Sequence, residues 1–111
     1  MQQYFEGKTK ANLNEVNANS AQPSCGLNSV CLKDMLFANE RIDNIKEINY
    51  CVITHSTFAN MGFKGTKFTR SDFSFCTFID CYFKSSSIIM NYNIAMDKRY
   101  GKEECILQIF Y

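Results

Sequence analysis

The sequence predicts a repeat fold in which the chain turns a corner every five residues around a core of large apolar side chains. The main observation is a large apolar residue at every fifth position, in nine consecutive units. The series consists of Ile48, Ile53, Phe58, Phe63, Phe68, Phe73, Phe78, Phe83 and Ile88. A second observation is the mostly small residue that stands two positions before each member of this series.

A period of five fits neither an α-helix nor a single extended strand. On an α-helix, five residues advance by ~500°, or ~140° net, so the large residues would spread around the whole cylinder. In one continuous strand an odd period changes face at each repeat, because successive side chains alternate. A corner in every unit instead lets each large residue, and the small residue two positions before it, point into one interior.

The remaining residues of the units agree with this arrangement. The small inward series consists of Cys51, Ser56, Thr66, Ser71, Cys76, Cys81 and Ser86, with Met61 and Lys46 as departures. Asn60, Gly65, Asp80 and Ser85 fall where corners are expected, and these residue types favour turns. We therefore expect the other three positions of each unit to point outward or to form the corner.

These units resemble those of the pentapeptide-repeat family, which has a small residue at the first position and Leu or Phe at the third. The resemblance implies an all-β fold, a right-handed quadrilateral β-helix with four repeats to a coil and with short irregular or helical ends. The family's commonest unit, Ala-Asp/Asn-Leu-x-x, is absent here, and the chain resembles a Phe-rich variant of the repeat. With four repeats to a coil, residues twenty apart should stack, so that Phe58 lies on Phe78 and Phe63 on Phe83.

A looser continuation of the pattern lies upstream. Leu27, Leu32, Phe37 and Ile42 are also five apart, and their inward partners would be Cys25, Val30, Met35 and Glu40, of which Glu40 fits badly. The step from Ile42 to Ile48 is six residues, which predicts one extra residue near Asp43–Asn44. Good helix formers between Leu32 and Ile45 leave a short helix open as the alternative to a first coil.

The sequence therefore divides into three parts. Residues 1–24 are polar and are expected to form a flexible or loosely docked N-terminal arm. Residues 25–90 are expected to form the pentapeptide-repeat β-helix, with its regular core at 46–90. Residues 91–111 lose the period, and we expect them to form a C-terminal cap or the tail of a truncated solenoid, since solenoid ends need covering.

Composition and charge exclude several classes of protein. The chain is 46% hydrophobic with a formal net charge of +1, which excludes a disordered acidic tail and an extreme basic nucleic-acid binder. Because apolar runs of signal-peptide or membrane-spanning length are absent, we expect a cytoplasmic protein without membrane contact. The six cysteines are accordingly interpreted as thiols, buried where they belong to the repeat.

Residues with catalytic potential are few. His55 is the single histidine, and its expected neighbour in the next coil is Phe75 rather than an acid or a nucleophile. The cysteine spacing lacks a zinc signature, and Gly62 and Gly65 belong to the repeat rather than to a phosphate loop. We expect no catalytic, cofactor-binding or metal-binding residues and therefore no enzyme, cofactor or small-molecule substrate.

A noncatalytic scaffold that binds another protein is the predicted function, with the partner unidentified and a homodimer through a solenoid end as one option. The alternative is a DNA mimic that regulates DNA gyrase, as the resemblance implies for some family members. The outward charges disfavour mimicry and a nucleic-acid partner, since Lys64, Lys67, Arg70 and Lys84 outnumber Asp72 and Asp80. Those four cations form at most a weak site for an anionic surface.

Apolar residues at outward positions are the remaining candidates for a partner site. They are Val52, Phe75, Ile79 and Tyr82, which the repeat assigns to different sides of the coil. A contiguous exposed apolar patch marks an interaction site, whereas scattered apolar residues are normal on protein surfaces. The sequence therefore does not predict a single patch.

Overall fold

In a computed structural model, residues 5–20, 26–84 and 87–89 are described, the last three by their backbone. These residues form short strands and one short helix. The elements are β1 (Thr9–Ala11), α1 (Leu13–Ala18), β2 (Leu27–Asn28), β3 (Cys31–Lys33), β4 (Met35–Ala38), β5 (Arg41–Ile42), β6 (Glu47–Asn49), β7 (Val52–Thr54), β8 (Thr57–Ala59), β9 (Gly62–Lys64), β10 (Lys67–Thr69), β11 (Thr77–Ile79), β12 (Tyr82–Lys84) and β13 (Ser87–Ile89). The fold is thus rich in strands, as the sequence predicts.

Successive strands belong to different sheets, and all the strand pairs are parallel. The four sheets of the described residues have the strand orders β1-β4-β8-β11, β13-β10-β6-β2, β12-β9-β5 and β3-β7. From β2 to β10 the chain passes through the four sheets in a fixed order and then returns to the first. Between β10 and β11 the isolated Val52–Asp72 bridge takes the place of a strand in the β3-β7 sheet. Residues of one sheet are therefore neighbours in space although about twenty positions separate them in sequence.

From β2 onward, the register of the described strands changes once along the chain. Phe68 pairs with Ile48, twenty residues earlier, whereas Phe63 pairs with Ile42, twenty-one residues earlier. One extra residue therefore lies between Ile42 and β6, which confirms the interruption predicted near Asp43–Asn44. Lys46 was assigned to an inward position, but the structure exposes it and buries Ile45 instead, because the extra residue shifts the apolar side chain into the core.

The interior is filled by the predicted series of large residues. Phe58 and Phe78 stack with ring centroids 4.5 Å apart, and Phe63 and Phe83 stack at 5.1 Å, each pair within 4° of parallel. Phe37 continues the first column, with its ring centroid 5.0 Å from that of Phe58. Both predicted stacks are confirmed, and every phenylalanine from Phe58 to Phe83 in the five-residue series is fully buried.

The corners recur every five residues because a residue with positive φ occupies each of them. From Tyr50 onward these residues are Tyr50, His55, Asn60, Gly65, Arg70, Phe75 and Asp80, with φ between 48° and 69°. Left-handed backbone is common for glycine, asparagine and aspartate but uncommon for larger residues. The bulky corner residues are therefore held in place by the paired strands on either side rather than by their own preference.

The small inward residues satisfy backbone carbonyl groups next to the corners. Ser71 Oγ donates to the carbonyl oxygen of Thr69 at 2.9 Å, and Ser56 Oγ donates to that of Thr54 at 2.9 Å. Cysteine takes the same role, since Cys81 Sγ donates to the carbonyl oxygen of Ile79 at 3.4 Å. A small side chain with a donor fits this position because a buried carbonyl group needs a partner.

Residues 27–45 form strands, so the helix considered for Leu32–Ile45 is wrong. β3 pairs with β7, β4 with β8 and β5 with β9. Leu27, Phe37 and Ile42 are buried as the five-residue pattern predicts. Pairing with the following strands outweighs the helix propensity of this segment, because each strand buries its large residue on the phenylalanine core.

Residues 5–20 of the N-terminal segment contain a strand and a short helix that pack on the rest of the fold. Within it, β1 pairs with β4, and α1 buries Leu13 in the hydrophobic core. The misfit residue Glu40 explains this docking, because its buried carboxylate accepts hydrogen bonds from the backbone N–H groups of Leu13 (2.8 Å) and Asn14 (3.0 Å). A carboxylate satisfies the unpaired N–H groups of a helix start. Glu40 therefore points inward to receive α1.

Part of the sequence-based prediction concerns residues that the structure does not describe. The expected cap or truncated tail at 91–111 lies outside the described residues, as do Cys25 and Cys105. The three domain boundaries accordingly stay predictions. In the part of the chain that is described, no helix combines the length and the apolar character needed to cross a membrane.

Candidate interaction face

Three of the large exposed apolar side chains border one sheet of the fold. Sheet β3-β7 is extended by a bridge between Val52 and Asp72, and a corner bounds it on each side. Tyr50 is 55% exposed at the first corner, Val52 is 41% exposed on β7, and Phe75 is 77% exposed at the second corner. We call Tyr50, Val52 and Phe75, with the neighbouring Arg70 and His55, the aromatic face.

The first corner joins an aromatic ring and a cation. The Arg70 guanidinium carbon lies 5.5 Å from the centre of the Tyr50 ring, within the range of a cation–π contact. Both residues have positive φ, 56° for Tyr50 and 48° for Arg70, so their side chains leave the backbone in the same direction. The contact restrains two long side chains and presents a fixed, positively charged edge to solvent.

The second corner stacks the histidine under a phenylalanine. The His55 and Phe75 ring centroids are 4.8 Å apart and the planes are inclined by 21°, as predicted from their spacing of twenty. Nδ1 of His55 is buried and lacks a hydrogen-bond partner among the described residues. The face of the imidazole therefore supports the Phe75 ring, and Phe75 remains the most exposed of the large apolar side chains described.

A tight turn projects Phe75 from the surface. Asp72 Oδ1 accepts hydrogen bonds from the backbone N–H of Ser74, at 2.9 Å, and from its hydroxyl. The N–H of Cys76 donates to the carbonyl oxygen of Phe73 at 3.2 Å and closes the turn. An aspartate that bonds the backbone two residues later forms a compact local turn. Asp72 is thereby hydrogen-bonded within the turn. On the same face, the side chains of Lys33 and Arg70 are exposed.

The outward apolar residues named from the sequence separate into three environments. Val52 and Phe75 lie on the same face, so the expectation that all four residues map to different sides is wrong for this pair. Tyr82 lies on the β5-β9-β12 sheet. Ile79 is only 3% exposed and is paired with Ala59, whose small side chain leaves room for it. Tyr50 completes the patch because its corner position lifts the ring outward.

A polar groove crosses a different sheet, β5-β9-β12. Its volume is about 820 Å³, and its walls include Arg41, Asn60, Lys64, Asp80, Tyr82 and Lys84. We call it the lysine groove. Lys64 and Lys84 are direct register partners on β9 and β12. Of the four cations named from the sequence, these two come together, while Lys67 lies on β10 and Arg70 on the aromatic face.

Sequence reasoning missed Arg41 as a member of this groove. Arg41 pairs with Gly62, which in turn pairs with Tyr82, so one column runs across three strands. Nη1 of Arg41 donates a hydrogen bond to the Tyr82 hydroxyl at 2.8 Å. The Tyr82 ring lies over Gly62, where a Cβ atom would be 2.6 Å from its Cζ. The sequence does contain a signal for this column. Arg41 and Gly62 are twenty-one residues apart, and Gly62 and Tyr82 are twenty residues apart.

The cysteines of the repeat are buried thiols, as predicted. Cys51, Cys76 and Cys81 are buried, and Cys31 is exposed. Burial raises the pKa of Cys76 to about 12 and that of Cys81 to about 11, because a thiolate would lose its hydration. Sγ of Cys76 donates to the carbonyl oxygen of Ile53 at 2.9 Å, which also favours the thiol form.

Within the described ranges, no group of three or more histidine, cysteine, aspartate or glutamate residues is arranged to hold a metal ion. No family model matches the chain, and neither a curated protein nor a solved structure matches it.

Proposed function

We propose that the chain is a pentapeptide-repeat protein whose strands form a right-handed quadrilateral β-helix. The return of the chain to the same sheet after four strands, from β2 through β10, supports this proposal, as does the Val52–Asp72 bridge that takes the place of the missing strand in the last pass. So does the recurrence of positive φ every five residues, from Tyr50 to Asp80. An experimental structure tests it, with a right-handed path around the stacked Phe58 and Phe78 rings as the expected result and a left-handed or open path as the contrary one.

Building on this fold, we propose that the protein is a noncatalytic scaffold that binds a protein partner through the aromatic face. The observation that carries the proposal is the grouping of Tyr50, Val52 and Phe75, three of the large exposed apolar side chains, on one face. Aromatic residues and arginine dominate the energy of protein interfaces. Two of these side chains are also held in place before binding, which lowers the entropic cost of association.

The charges around the aromatic face define the kind of partner. Lys33 and Arg70 are exposed at this face, and the carboxylates of Asp34 and Asp72 are partly exposed beside them, so the face carries charges of both signs. A complementary surface therefore presents apolar side chains flanked by charges of both signs. The same cations argue against the DNA-mimic alternative, which requires an acidic surface in place of the DNA phosphates.

Partner capture by matched variants tests the interaction face. Tyr50→Asn and Phe75→Asn remove the aromatic rings but keep a residue that accepts positive φ at the corner. Tyr82→Ala is the control, since it removes an exposed aromatic ring from a different sheet. The immobilised full chain and each variant are incubated with the same extract, and bound proteins are quantified by mass spectrometry.

The expected result is at least one protein that the wild type and Tyr82→Ala retain and that both corner variants lose. The affinity of that protein, once purified, should fall at least tenfold for Phe75→Asn, or ~1.4 kcal/mol. Equal capture by the wild type and both corner variants would overturn the assignment of this face. Circular dichroism at the working temperature verifies that every variant is folded.

A further inference from the structure

The outward side of the sheet β1-β4-β8-β11 is shielded from solvent. In β8 the Phe58 ring points into the core, so its neighbours Thr57 and Ala59 point outward. Thr57 is nevertheless only 1% exposed, and Ile79, an outward residue of β11, is only 3% exposed. Val52, which has the corresponding outward position on the β3-β7 sheet, is 41% exposed. An outward position by itself therefore does not bury a side chain in this fold, and the β8 sheet is covered from its solvent side.

The covered surface is flat and carries no charge. Two columns of outward side chains run across β4, β8 and β11. One column consists of Leu36, Thr57 and Thr77, and the other of Ala38, Ala59 and Ile79. Parallel sheets are usually covered on both sides, because their strands bury apolar residues on both faces. This surface is thus suited to packing against a second apolar segment.

The strands and the helix of the described residues lie elsewhere around this sheet. α1 packs on the end of the core, since Leu13 belongs to the core cluster and its N–H group donates to Glu40. β1 extends the sheet at its edge by pairing with β4. Ala38 and Ala59 leave room beside Ile79 but are too small to cover it. Because these exposures are those of a single chain, the cover belongs to another segment of the same chain.

We propose that residues 105–111 dock on the outward side of β4, β8 and β11. The segment reads Cys-Ile-Leu-Gln-Ile-Phe-Tyr, and Gln108 is its single residue without apolar or aromatic character. Its docking would remove apolar surface from water on both partners, which favours association. Seven residues span up to ~23 Å, and the three strands occupy ~10 Å, so the segment is long enough to cross them.

The connecting residues are sufficient to bring the segment to this sheet. β13 ends at Ile89, in the sheet that lies two sides of the coil away from the β8 sheet along the path of the chain. Each side takes five residues of the repeat, so residues 90–104 exceed the length needed to pass two sides. The segment would then lie along the side of the solenoid rather than cap its end. This arrangement does not depend on the protein partner proposed for the aromatic face.

Nuclear Overhauser contacts of methyl groups in the full-length protein test the docking. We expect contacts from the methyl groups of Thr57, Ala59 and Ile79 to residues 105–111, whereas the methyl groups of the control Val52 should make none to this segment. A sample that mixes labelled and unlabelled chains separates contacts within one chain from contacts between two. Contacts of the three residues to a second copy, to residues 1–4, 21–25 or 90–104, or to none of these would each overturn the proposal.

Hydrogen exchange of matched variants provides the second readout. Ala59→Glu places a carboxylate in the middle of the covered side, and Val52→Glu places one on an exposed position of a different sheet. In the wild type the amides of residues 105–111 should exchange at least about tenfold more slowly than in a free peptide of the same sequence. Ala59→Glu should abolish this protection, and Val52→Glu should leave it within about twofold.

Slow exchange at the amides of Phe58 and Phe78 verifies that the repeat of each variant is intact. If Ala59→Glu disrupts the repeat itself, the methyl contacts of the wild type decide the question, since they require no substitution. Free-peptide exchange rates for residues 105–111 in the wild type would overturn the proposal. So would equal protection in the wild type and in a folded Ala59→Glu.

Discussion

The rings of Phe58 and Phe78 lie almost parallel, with centroids 4.5 Å apart, although twenty residues separate them in the chain. The distance between the rings is close to the ~4.8 Å separation of neighbouring strands, because β8 and β11 pair directly at these two residues. Each pass of the chain through the four sheets therefore adds one ring to an existing column. Stability in such an arrangement depends on contacts between successive passes more than on any single strand.

Phe78→Ala should lower the free energy of unfolding by ~3 to 5 kcal/mol, since it removes a fully buried ring from the column. Phe75→Ala is the matched control, because Phe75 is 77% exposed, and it should cost less than ~1 kcal/mol. Chemical denaturation of both variants measures the difference. Equal losses would contradict the placement of Phe78 in the core.

Glu40→Ala should destabilise the docking of α1. The carboxylate accepts hydrogen bonds from the backbone N–H groups of Leu13 and Asn14, which would be left without this partner, at a cost of ~1 to 3 kcal/mol. Hydrogen exchange at these two amides should accelerate, and Glu40→Gln, which retains an acceptor oxygen, should show a smaller effect. Glu15→Ala, at an exposed position of the same helix, should leave their exchange nearly unchanged.

Two glycines with positive φ should respond differently to alanine. Gly65 has φ of 69° and no other atom within 4 Å of an added Cβ, so Gly65→Ala should cost only the ~1 to 2 kcal/mol of left-handed backbone. At Gly26, with φ of 97°, the Cβ would collide with the backbone of Glu47. Gly26→Ala should therefore cost on the order of 4 kcal/mol or prevent folding. Denaturation midpoints that agree for the two variants would refute this contact.

The buried thiols should make the protein less stable in alkali. Below ~pH 8.5 the thiols are protonated in both the folded and the unfolded chain, so their contribution is constant. Burial raises the pKa of Cys76 to about 12 and that of Cys81 to about 11 in the folded state. Between these limits only the unfolded state releases the protons, and the free energy of unfolding should fall by ~1 kcal/mol per pH unit for each thiol.

Comparison with the Cys76→Ser/Cys81→Ser double variant isolates the thiol contribution from other groups that titrate in alkali. A serine hydroxyl can donate to the same carbonyl oxygens, of Ile53 and Phe58, but does not ionise in this range. Denaturation at pH 8 and pH 10 should show a steeper loss for the wild type. An identical loss in both proteins would contradict the raised pKa values.

Much of the fold was predictable because its pattern is local and repeated. The spacing of Phe58, Phe63 and Phe78 identifies the inward residues, and the six-residue step after Ile42 identifies the change of register. Lys46 was misplaced because the spacing alone does not show which residue of an irregular unit turns inward. Hydrophobic burial favours Ile45 there, and the structure buries it.

The candidate surfaces were less predictable. The repeat correctly pairs Tyr50 with Arg70, His55 with Phe75, and Lys64 with Lys84. It does not show that Val52 and Phe75 share one face, because that depends on the turn that Asp72 and Ser74 form. Nor does it show that Arg41 reaches Tyr82, since side-chain hydrogen bonds depend on rotamers as well as on register.

The sequence by itself determined which side chains face the interior and where the chain turns. Large residues at every fifth position can all point into one interior only if the chain turns a corner in each unit. Only the tertiary structure decided that Glu40 receives the start of α1, that Ile79 is buried, and that three exposed apolar side chains border one sheet. These features arise between segments far apart in the sequence, where docking and local turns select the contacts and no repeating pattern specifies them.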